Sequence, residues 1–146
     1  MPESYYFDFF NYAILDQKTI KEKFNLGPAE LTVTNEVEFQ NEQIYIDIDF
    51  KRWEHLDFTP QCIVRIYNRG KISKELVYEL KTQREECQFH IPIPLDYCSN
   101  DPCILKVVLR NKESHSYIIS DLNVKVYGKQ MTPAEAGSSL RFDIDR

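Results

Sequence analysis

The sequence predicts an all-β chain: an antiparallel β-sandwich, Ig-like or jelly-roll, of about eight or nine strands with one short N-terminal helix. Three observations predict it. Apolar and polar residues alternate with period two in segment after segment, turn chemistry separates those segments at short intervals, and little of the chain carries helical spacing.

Residues 5–12 pack Tyr5, Tyr6, Phe7, Phe9, Phe10 and Tyr12 together, an aromatic cluster that suits burial against an open side of the core or the docking of a partner. Residues 16–27, DQKTIKEKFNLG, suit a short helix. Asp16 stands at its N-cap, Ile20 and Phe24 lie one turn apart, and Gly27-Pro28 stop it. Leu31, Val33, Val37 and Phe39 then keep odd parity through one or two short strands. Ile44, Ile46, Ile48 and Phe50 against Tyr45, Asp47, Asp49 and Lys51 give the cleanest alternation, one face dry and the other wet. Trp53 follows in a polar loop, where a lone indole caps a core or stacks on a ligand. Cys62, Val64 and Ile66 face inward on the next strand. Asn68-Arg69-Gly70 turns the chain into a return strand carrying Leu76, Tyr78 and Leu80, completing a hairpin.

Residues 88–110 read as two strands of a sheet joined by a turn-rich loop. Phe89, Ile91, Ile93 and Leu95 share one face of the first arm. Pro92 and Pro94 remove donors on one side of it, so this arm must be a sheet edge. Leu105, Val107 and Leu109 alternate with Lys106, Val108 and Arg110 in the second arm, and Leu122, Val124 and Val126 mark a further strand. Thr132-Pro133-Ala134-Glu135 is a capping box stopped by Gly137, and Leu140, Phe142 and Ile144 alternate to the end. The organisation expected is a single domain over 1–146: an aromatic segment and helix in 1–30, the sandwich core in 31–128, and a one-turn helix and final strand in 129–146.

Composition excludes several classes. A net charge of −5 with scattered basic residues argues against a nucleic-acid partner. The first fifteen residues lack a basic n-region and carry Glu3 and Asp8, so no signal peptide is read. No stretch reaches the roughly eighteen uncharged apolar residues of a membrane span. A cytoplasmic location follows as the expectation, with Cys62, Cys87, Cys98 and Cys103 as reduced thiols, although Cys98 and Cys103 flank one loop closely enough to pair. Zinc is the sharper alternative, but Cys-x4-Cys has no second close pair, and His55, His90 and His115 show no ligand spacing. No cofactor is expected.

Chemistry is sparse. Asp47 and Asp49 lie two apart on a wet strand face, roughly 7 Å from each other, a separation compatible with paired-carboxylate glycoside hydrolysis. Asp143 and Asp145 repeat the pattern, which would suit calcium if the two strands were neighbours. Gly-x-Ser-x-Gly, a phosphate loop and His-Glu-x-x-His are all missing. Cys87 stands beside Glu85 and Glu86, which raise a thiol's pKa and disfavour it as a nucleophile.

The series FQNEQIYIDI from Phe39, PQCIVRIYNRG from Pro60, FHIPIPL from Phe89 and LKVVL from Leu105 resembles the carbohydrate-binding C-terminal β-sandwich of some polysaccharide-export ABC transporter subunits. That resemblance implies a glycan ligand held on a sandwich. From the residues themselves, the leading expectation is a non-catalytic recognition module binding a protein or a glycan through outward Tyr45, Tyr67 and Tyr127 with Trp53, Asp47 and Asp49. A structural subunit of a larger assembly, with a homo-oligomer as one form, is the alternative. A small hydrolase using Asp47 and Asp49 is the third reading.

Overall fold

The computed structural model describes residues 12–53, 58–81, 83–94 and 101–130. Its strands are β1 (Tyr12–Ile20), β2 (Phe24–Leu26), β3 (Leu31–Thr32), β4 (Val37–Phe39), β5 (Glu42–Arg52), β6 (Pro60–Asn68), β7 (Lys71–Glu79), β8 (Glu86–Pro92), β9 (Cys103–Asn111) and β10 (Tyr117–Gln130). They form two antiparallel five-stranded sheets. The front sheet runs β1-β10-β5-β8, with β2 also on β10; the back sheet runs β3-β9-β6-β7, with β4 also on β9.

The apolar face of each sheet turns toward the other, which makes the molecule a β-sandwich. Ile44, Ile46, Ile48, Leu122, Val124 and Val126 of the front sheet are at 0% exposure, as are Cys62, Val64, Ile66, Leu105 and Val107 of the back sheet. Each such aliphatic side chain stabilises the fold by roughly 1.5–3 kcal/mol. The period-two parity of β5, β6, β9 and β10 is therefore the parity of burial.

The helix expected over residues 16–27 is a strand pair instead. β1 lies antiparallel along β10 from Tyr12↔Lys129 to Ile20↔Leu122, with a bulge between Ile14 and Asp16, and β2 continues the same side of β10 as Phe24↔Ile119. Ile20 and Phe24 do pack on the core, but from successive strands. The Asp16 carboxylate accepts from the Asn35 backbone N–H at 2.8 Å and from its amide at 3.2 Å, so it caps no helix. Distant ladder partners outweigh a weak local helix preference. Among the described residues the strands number ten, the first of them at Tyr12–Ile20.

Residues 88–110 also differ from expectation. β8 is an edge strand, paired only with β5 among the described residues, as Pro92 requires. However, β9 lies in the other sheet, so the two arms are not strands of one sheet. The β6–β7 hairpin matches its sequence, with Asn68↔Lys71 closing a two-residue loop in which Arg69 (φ 54°) and Gly70 (φ 79°) both take the left-handed region. That twist suits the strands on either side. The rest of the N-terminal aromatic cluster, Leu95, Cys98, the 132–137 helix and the strand through Ile144 lie outside the described residues.

The alternation of β5 ends on a charge, because Arg52 follows Phe50 on the buried face and is 1% exposed. Its guanidinium donates to the Arg84 carbonyl from Nε (3.2 Å) and Nη2 (2.6 Å) and to the Phe58 carbonyl from Nη1 (3.0 Å). Its backbone N–H donates to the Glu85 carbonyl at 2.8 Å. One side chain thus ties together the chain segments at residues 58 and 84. Arg52→Met keeps the apolar stem and strips those donors. It is expected to cost about 2–4 kcal/mol, read as a lower urea midpoint at unchanged slope.

Candidate functional site

The outer face of the front sheet can be read row by row from its register. Ile14, Tyr127, Tyr45 and Pro92 lie directly across β1, β10, β5 and β8; Gln17, Lys125, Asp47 and His90 form the next polar row, and Thr19, Asn123, Asp49 and Gln88 the third. Side chains so opposed stand about 5 Å apart and interact. The first row is apolar and aromatic across all four strands, and Ile14 at its end is 61% exposed.

Tyr12 joins this row and completes an aromatic cluster. The Tyr45 ring stacks against His90 (centroids 5.3 Å, 19°) and Tyr127 (5.5 Å, 21°), while Tyr12 stands edge-on to Tyr45 (5.4 Å, 71°) and Tyr127 (5.8 Å, 75°). Tyr12, Ile14, Tyr45, His90, Lys125 and Tyr127 are among the side chains lining an open depression of about 500 Å³. Asp47 anchors it: the His90 Nδ1 lies 2.6 Å from Asp47 Oδ1, and the Tyr127 hydroxyl reaches the same imidazole nitrogen at 3.2 Å. Burial pushes the Tyr127 phenol well above its usual range, reinforced by the Asp47 charge and a hydrogen bond to it. It stays a neutral donor. Burial also raises the Asp49 carboxyl, with the neighbouring Asp47 charge adding to it and Lys125 opposing it.

Four of the six residues singled out in the sequence, Tyr45, Asp47, Asp49 and Tyr127, therefore meet on one face. The other two do not join them. Trp53 closes the end of β5: its indole N–H donates to Ser120 Oγ at 2.8 Å, its backbone N–H to the Ile118 carbonyl at 3.2 Å, and Lys23 and Lys51 sit 3.8 and 4.0 Å from its ring centre. Tyr67 lies on the back sheet, opposite Ile72 of β7 and Ile104 of β9, with Lys106 at 5.2 Å from its ring centre. On that face Arg65 binds Glu75 of its own row and Glu30 beyond the next one, since Nη1 and Nη2 both reach the Glu30 carboxylate. The Arg65–Glu30 pair so spans the row of Ile63 and Val108, outward side chains only 1% and 3% exposed, while Val77 at the β7 end of that row is 48% exposed. In the sequence Tyr12 belongs to an aromatic cluster suited to docking a partner, whereas Ile14, His90 and Lys125 are not singled out as binding residues.

The carboxylates occupy an open sheet face. Asp47 and Asp49 line a second open depression of about 470 Å³ with Gln88, Phe89 and His90. Among the described residues, no group of three or more His, Cys, Asp or Glu side chains is placed to hold a metal ion, and no helix is long and apolar enough to cross a membrane. Asp143 and Asp145 lie outside them. Cys62, Cys87 and Cys103 are free and buried. Burial pushes the Cys62 thiol up to about 12. It also raises Cys87, with Arg52 opposing, so the cause there is burial and not the flanking glutamates. These are thiols held in a core.

No family model matches the chain, and no curated protein matches it. Solved structures do share its fold. A chain of the infectious bursal disease virus VP2 subviral particle aligns over 82% of this chain with a TM-score of 0.50 at 9% identity. The PRD1 vertex protein P5 aligns over 82% of this chain and 99% of its own length, with a TM-score of 0.43 at 11% identity. The chain spans about a third of the VP2 chain it matches, 33% of its length. At such identity the likeness is one of fold alone.

Asp49 sets a pH dependence. Because its carboxyl holds a proton to higher pH in the folded state than in the unfolded chain, its contribution to stability is full in acid. It is lost as pH rises through the folded-state pKa. Asp49→Asn is expected to raise the thermal midpoint slightly at pH 7, with the gain vanishing by about pH 3, below the ordinary carboxylate range. Melting curves at the two pH values check the sign.

Proposed function

We propose that the chain is a non-catalytic structural subunit that joins a larger assembly through the outer face of its front sheet. The observation that carries this reading is the row Ile14–Tyr127–Tyr45–Pro92, apolar and aromatic from one edge of that sheet to the other. Water-facing sheets ordinarily carry polar residues in such positions, and an apolar row rimmed by polar ones is the pattern of a docking surface. The fold shared with the VP2 chain accords with the reading by analogy.

The same tyrosines could be read as a sugar platform, but their packing favours a protein partner. Tyr45, Tyr127 and His90 stand side by side with centroids 5.3–6.3 Å apart, and Tyr12 packs against them edge-on, so the rings cover one another's faces. A pyranose ring stacks on an open aromatic face, whereas ring edges and hydroxyls suit the mixed contacts of a protein surface. The free buried thiols are compatible with a reducing compartment.

Native size separation of an extract from cells that make the protein tests this. The chain is expected to migrate well above its 17.3 kDa mass. Tyr45→Ser with Tyr127→Ser is expected to return it to the monomer position with its far-ultraviolet circular dichroism unchanged. An intact chain that already migrates as a monomer in the extract overturns the reading.

A further inference from the structure

We infer that the partner seated on this face is a second copy of the chain, related by a twofold axis running along the strands between β10 and β5. The inference rests on the docking reading above and names its occupant. What carries it is the distribution of chemistry within each row.

A twofold axis along the strands preserves rows and exchanges strands. It lays β10 of one copy over β5 of the other and β1 over β8, the geometry of an isologous contact between aligned sheets. In the first row Ile14 then faces Pro92 and Tyr127 faces Tyr45, apolar on apolar. The second row places Lys125 over Asp47, twice by symmetry, and Gln17 over His90; the third places Asn123 over Asp49 and Thr19 over Gln88. Within these three rows the cation Lys125 lies on the β1–β10 half of the face and the acids Asp47 and Asp49 on β5. A face divided in this way about its midline is complementary to itself. A contact displaced by one strand would set Lys125 over His90 or Asp47 over Asp47 and lose that match.

Sedimentation of the purified 146-residue chain, with matched charge reversals, tests the inference. The wild-type chain is expected to sediment at twice 17.3 kDa. Lys125→Glu and Asp47→Lys are each expected to weaken self-association at least about tenfold, because each sets like charges against one another across the axis. An equimolar mixture of the two variants is expected to recover the dimer to within about threefold of wild type, since opposite charges then meet at both symmetry-related positions. The mixture leaves each variant's own cross-strand neighbours unchanged, so recovery separates a broken contact from a damaged fold.

A wild-type chain that is monomeric when pure up to about 1 mM, the weak end of specific association, overturns the second copy as occupant. If the same chain is large in extract, the docking reading stands with another protein as partner. If it is monomeric in both, both readings fall. A dimer insensitive to the reversals, or a mixture that does not recover, overturns the axis.

Discussion

The ladder between β5 and β10 is the constraint on which the rest of the molecule depends. Its register, Ile48 against Val124 and Ile46 against Val126, seats four fully buried aliphatic side chains on one side and Tyr45, Asp47, Tyr127 and Lys125 on the other. Because strand side chains alternate with a period of two, a slip of one residue would drive Asp47 and Lys125 into the core and Ile46 into water. Burial of the inner row therefore enforces the geometry of the outer one. Gly128 keeps β10 close on both flanks, where a Cβ would stand 2.8 Å from the Glu42 carboxylate and 3.2 Å from Leu15 and Ile44.

The two outer faces solve their exposure differently. On the back sheet, the Arg65–Glu30 pair spans the row of Ile63 and Val108, which are buried, while Val77 and Ile72 on the β7 edge stay 48% and 54% exposed. On the front sheet Ile14 is left 61% exposed beside a row of aromatic rings. The front face differs in carrying its apolar row across all four strands, with Tyr127 and Tyr45 at its middle. The edges of this sheet are blunted: Pro92 removes a donor from β8, and a bulge follows Ile14 on β1, where Asp16 is held by Asn35.

Much of this was legible in residue order alone. Alternation located the inward faces of β5, β6, β9 and β10, the prolines marked β8 as an edge, and Asn-Arg-Gly marked the hairpin. Each is a local property, written in neighbours two to four residues apart, and local sterics decide it. Local reading failed where local preference was weak. Residues 16–27 have helix-compatible spacing, yet the hydrogen bonds available along β10 made them β1 and β2.

The composition of the site was beyond that reading. Tyr12 and Tyr45 are 33 positions apart, His90 and Asp47 43, and Gln17 and Asn123 106. Sequence by itself determined that Tyr45, Asp47, Asp49 and Tyr127 would face outward, because parity within a strand is fixed by the pleat. Only the tertiary structure decided that they would meet one another and gather Tyr12, His90 and Lys125, while Trp53 and Tyr67 went elsewhere. Which strands lie side by side depends on how two whole sheets bury their apolar faces, a long-range balance that no single segment contains.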